Sequence, residues 1–123
     1  MTTTSIQEIK KELLTLEAEQ LQKLCLRLAK YKKENKELLN YLLFESQHEH
    51  TYIENIKEEI SAFFKTIPAS NVYLIKKSLR KILRFVNRQI KYSGILQTEL
   101  EVRLFFCTQV KEAKILQIGR AHV

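Results

Sequence analysis

The chain reads as an all-α protein, and three observations predict that class. Two glycines, one proline and no aspartate in 123 residues leave too few turn formers for a β-rich fold. Glu, Lys and Leu, all strong helix formers, dominate the composition. Apolar residues recur three and four positions apart over most of the length. Hydrophobic content of 45% and charged content of 28% suit a packed globular chain rather than a disordered one. The expected architecture is a single-domain bundle of five or six helices over residues 1–117.

Each element carries its own signals. Ser5 precedes Ile6, Ile9 and Leu13 on one helical face, with Glu8 placed to complete a capping box; the helix runs to about Leu14. Thr15 is placed to cap a second start. From Glu17 to Glu45 no Gly or Pro intervenes, and Leu21, Leu24, Leu28, Tyr31, Asn35, Leu38 and Leu42 keep one register. That stretch is one long helix or two helices broken within Lys32–Lys36. The stripe is heptad-like with Asn35 at a core position, the pattern of a two-stranded coiled coil. Against this, Cys25 and Leu39 widen the apolar face, and Arg27 would oppose Lys32 in a parallel dimer. A helix packed inside a bundle is the better reading.

Residues Ser46 to Thr51 are polar and predict a turn. Ile53, Ile56, Ile60, Phe63, Phe64 and Ile67 then form the apolar face of a helix that Pro68 ends. Ser70 or Asn71 caps the next helix, whose core face is Val72, Ile75, Leu79, Ile82, Leu83, Val86 and Ile90. Gly94 stops it in the left-handed position that glycine adopts most cheaply. A final helix runs from about Ile95 to Lys114. Its Leu100, Val102, Leu104, Phe105, Phe106 and Val110 occupy more than one face, which predicts an exposed apolar patch and self-association through this last helix.

The six terminal residues, Ile118 to Val123, read back as the codons ATC GGA AGA GCA CAC GTC, one frame of a common DNA-sequencing adapter that continues into a stop. They are expected to be a non-native tail appended to a C-terminally truncated open reading frame.

Several function classes lack their residues. No apolar run approaches the roughly 18 residues of a membrane span, and the N-terminus has no signal-peptide core. Cys25 and Cys107 make no metal or redox spacing; set among apolar neighbours, they are expected to be reduced, buried and cytoplasmic. Glu45-Ser46-Gln47-His48 is half of a di-iron motif without its second half. His48 and His50 would point to different sides of a helix, so a solvated polar turn is the plainer account. No Gly-flanked Ser, phosphate loop or zinc cluster is present, so neither catalysis nor a cofactor is expected.

Charge is the informative feature. The net charge is +7, yet no acidic residue lies between Glu59 and Glu99, where Lys65, Lys76, Lys77, Arg80, Lys81, Arg84, Arg88 and Lys91 fall. The rest of the chain holds 13 basic and 14 acidic residues, so this segment accounts for the entire excess. On a helix with about 100° per residue from Val72, the core residues fall between about 280° and 20° and the basic ones between about 40° and 180°. Leu74, Phe85 and Tyr92 lie near 200–220°, a second apolar strip able to widen the core. A one-sided basic face about 20 Å long is the footprint of polyanion binding. Lys77, Arg80, Lys81, Arg84, Arg88 and Lys91 are the candidate contacts, with nucleic acid as the first partner. Few Asn, Gln or aromatic residues interrupt the face, so it suits backbone contact rather than base reading. The alternatives are an acidic protein surface, or a solvated face partly neutralised by Glu54, Glu58, Glu99 or Glu101 of neighbouring helices. A membrane-surface role is disfavoured, since no Trp, Phe or Leu flanks the charges in an interfacial pattern.

Overall fold

The computed structural model describes residues 4–68 and 71–113, and the tail at Ile118–Val123 lies outside them. Among the described residues there are six α-helices, a single π-helical turn and no strand. The chain is all-α. The helices are α1 (Ile6–Leu14), α2 (Ala18–Tyr31), α3 (Lys33–Asn40), α4 (Glu49–Lys65), α5 (Val72–Ser93) and α6 (Leu96–Glu112), with the π turn at Tyr41–Glu45. They fall into two compact units that divide after Asn40.

The first unit holds α1 to α3. Ser5 caps α1 by accepting a hydrogen bond from the Glu8 amide. The second start is capped by Glu17, not Thr15: its side chain and that of Gln20 form a reciprocal capping box. Lys32 leaves helical geometry at φ −140° and ψ 147°, so the stretch from Glu17 is broken rather than continuous. In an unbroken helix the Lys32 amide would satisfy the Leu28 carbonyl. Here the Asn35 side-chain amide does so instead, at 2.8 Å. Asn35 is thus a cap for α2, not a core residue setting a coiled-coil register. Within this unit no residue of α1, α2 or α3 is fully buried, and of the stripe that begins at Leu21 only Leu21 and Asn35 are partly buried. Leu28 is 61% exposed and Tyr31 77%.

The second unit carries the core. Tyr41, Tyr52, Ile53, Ile56, Ile60, Ile82, Phe85, Val86, Ile90 and Val102 form one buried cluster, with Phe63, Phe64, Ile67, Phe105 and Phe106 packed against it. Helix α4 presents its predicted face to both α5 and α6. Ring contacts lock the far end, Phe63 against Phe85 at 5.2 Å and Phe64 against Phe106 at 5.8 Å between centroids. Thr66 terminates α4 just before Pro68.

The burial expectations for Leu83, Leu74 and the two cysteines are corrected. Leu83 is exposed, whereas Phe85 is buried and widens the core as its strip allows, so the core arc of α5 runs from about 220° to 0°. Packing chooses the flank bearing the larger side chain, because the Phe63 ring meets Phe85 there. Leu74, on the same strip, stays exposed. Cys25 and Cys107 are free and exposed rather than buried.

Candidate nucleic-acid interface

Helix α5 is built to display one polar face. Asn71 caps its start, accepting hydrogen bonds from the amides of Tyr73 at 2.9 Å and Leu74 at 3.2 Å. Gly94 ends it at φ 68°, with its amide donating to the Ile90 carbonyl. Between these caps Ile75, Ile82, Phe85, Val86 and Ile90 are buried. Lys77, Arg80, Lys81, Arg84 and Lys91 are exposed; Arg88, expected to be exposed with them, is half-buried.

Three of the four acidic residues expected to neutralise the face, Glu54, Glu99 and Glu101, are paired with other cations. Glu54 and Glu101 pair with Lys57 at 3.6 and 3.9 Å, and Glu99 pairs with Arg103 at 3.0 Å. Among the described residues, none of the six candidate contacts forms an ion pair. Four of the basic residue pairs on α5 are spaced i,i+4 (76–80, 77–81, 80–84, 84–88) and three i,i+3 (77–80, 81–84, 88–91). Each such like-charge pair destabilises a helix by roughly 0.2–0.5 kcal/mol at low salt. Among the described residues no ion pair relieves this self-repulsion.

Where α5 turns into α6, a groove of about 820 Å³ opens beside the basic face. Arg88 and Lys91 line it from α5, together with Ile95, Asn87, Glu99 and Arg103. Arg103 donates through Nε to Glu99 Oε2 and through Nη1 to Asn87 Oδ1, both at 3.0 Å. The i,i+4 spacing of Glu99 and Arg103 is the one local sign of this arrangement. Their convergence with Asn87 depends on helix packing.

A second polar cluster ties the unit together. Glu49, the first residue of α4, accepts hydrogen bonds from Tyr41 Oη at 2.6 Å and from Ser93 Oγ and Thr98 Oγ1 at 2.5 Å. One carboxylate thus joins the π turn, α4, the end of α5 and the start of α6. Burial works to raise its pKa, but the donated bonds, that of Ser93 foremost, outweigh burial and hold it below the usual value. Burial, then the bond to Glu49, raises the Tyr41 phenol. The Tyr52 phenol is raised mainly by burial, and its single proton is shared between the Gln89 carbonyl at 3.0 Å and Gln89 Oε1 at 2.7 Å. The π turn, closed by the Ser46 amide donating to the Tyr41 carbonyl, helps set Tyr41 in the core, 4.7 Å from Tyr52 between ring centroids.

His48 is the exposed N-cap of α4 and His50 is exposed, and among the described residues no group of three or more His, Cys, Asp or Glu side chains is placed to share a metal ion. No described helix is long and apolar enough to cross a membrane. No protein-family model, curated protein or solved structure matches the chain.

Proposed function

We propose that the protein is a non-catalytic binding module that docks a polyanion, nucleic acid first, on Lys77, Arg80, Lys81, Arg84, Arg88 and Lys91. The observation that carries this reading is the ladder of like charges on α5, which forms no ion pair among the described residues, with the nearby Glu99 and Glu101 paired to other cations. A phosphate backbone relieves that repulsion and gains counterion entropy as it does so. The exposed free thiols of Cys25 and Cys107 fit a reducing compartment, which supports a cytoplasmic location.

The test separates binding from folding. Replacing Arg80 and Arg84 together with Glu converts four of the repulsive pairs into attractive ones. The variant should lose nucleic-acid affinity while its stability holds or rises by about 1 kcal/mol. Unchanged affinity, measured by anisotropy with DNA and RNA at low salt, overturns the proposal.

One observation favours a second reading, a protein-interaction module that self-associates. Leu96, Leu100 and Leu104 recur at i,i+4 on the outer face of α6 and are 70%, 55% and 67% exposed, while Val102 on the opposite face is fully buried. A helix apolar on both sides is ordinarily covered on both. Sedimentation should show dimers that disappear when Leu100 and Leu104 are replaced by Glu; a monomer at high concentration removes this reading.

A further inference from the structure

We infer that the groove at the α5–α6 turn seats one unstacked base of a single-stranded nucleic acid against the Arg103 guanidinium, with the flanking phosphates on Arg88 and Lys91. This rests on the polyanion reading of α5 and adds to it the kind of strand preferred. Three features converge. Arg88 and Lys91 belong both to the basic face and to the groove, so a backbone tracking the face is led into the concavity. Arg103 is held from two helices, by Glu99 of α6 and Asn87 of α5, which fixes the plane of its guanidinium. Its side chain nevertheless remains 44% exposed. A guanidinium held in one plane by bonds at Nε and Nη1 can present its flat face, and such a face stacks bases where no aromatic ring is available.

The charge pattern favours a base over a phosphate at this point. Glu99 sits 3.0 Å from Arg103 and would repel a phosphate placed on the same guanidinium, whereas a neutral base meets no such penalty. Ile95 adds an apolar wall. Asn87 Oδ1 already accepts from Arg103, so that bond, rather than a base, orients its amide. The seat therefore tolerates any base. A duplex keeps its bases stacked inside and can satisfy only the cationic face.

The experiment compares wild-type binding to a mixed-sequence single-stranded DNA, its duplex, a fully abasic strand of the same length and inorganic polyphosphate. One stacked base contributes about 1–3 kcal/mol, so the single strand should bind roughly 5- to 150-fold more tightly than the abasic strand. Arg103→Lys keeps the charge but loses the plane. It should abolish that preference while leaving duplex and polyphosphate affinity unchanged. The abasic comparison needs no variant, so a folding defect in Arg103→Lys would not shield the inference. Equal binding of single, abasic and duplex strands overturns the base seat and leaves the polyanion reading standing. Absence of binding to all four overturns both.

Discussion

Replacing Glu49 with Ala should be among the most damaging single changes in the second unit. Three hydroxyls lose their shared acceptor. Thr98 is fully buried and Tyr41 is 3% exposed, so neither hydroxyl can readily turn to water, whereas Ser93 is half-buried and can. Each buried hydroxyl left unpaired costs about 1–3 kcal/mol, which places the loss near 4 kcal/mol. Glu49→Gln keeps an acceptor of the same shape but removes the charge assistance, for a loss of about 2 kcal/mol. Urea denaturation followed by circular dichroism measures both. Acid supplies an independent arm. The folded carboxyl titrates below its ordinary value of 4.5, so its contribution is present above that pH and is lost as pH falls through the folded pKa. The stability gap between wild type and Glu49→Gln should therefore close on acidification. A loss below about 1 kcal/mol in Glu49→Ala, or a gap that persists in acid, would show that the cluster does not hold the unit together.

Two further outcomes follow from the caps and the core. Tyr52→Phe removes both bonds to Gln89 and should cost about 1–2 kcal/mol. Because burial raises the Tyr52 phenol, the stability it carries is complete below the ordinary tyrosine value of 10.0 and is lost as pH climbs through the folded value. Absorbance titration should show a phenol ionising above the ordinary tyrosine value that disappears in Tyr52→Phe. At Gly94 an added Cβ meets nothing within 4 Å, so Gly94→Ala tests backbone strain alone. It should cost about 1 kcal/mol and Gly94→Asn less, read by thermal melting.

Much of the fold was legible locally. Ser5, Asn71 and Gly94 cap the helices that they were read to cap, and Pro68 follows the end of α4, because each acts through bonds or dihedrals within one turn. What failed needed distant partners. Helical periodicity places Phe85 and Leu83 on opposite flanks of one apolar face, but only the Phe63 ring decides which flank is buried. Glu49 meets Thr98 across 49 residues, and nothing in its own neighbourhood announces that bond. Asn35 sits in heptad register, yet the break at Lys32 turns it into a cap. The basic face was readable because charge excess needs no tertiary information. The base seat was not, since it requires Asn87 and Arg103 from two helices.

The most direct test of the polyanion account is the salt dependence of single-stranded nucleic-acid binding. Six cations can displace counterions from at most six phosphates, and at about 0.7 per phosphate the log–log plot should be linear with a slope approaching −4. The Arg80→Glu, Arg84→Glu double variant should flatten that slope by about 1.4 or more. A linear plot of that steepness, flattened in the double variant, is the predicted result. A slope near zero, or no binding at low ionic strength, would contradict the claim that α5 holds a phosphate backbone.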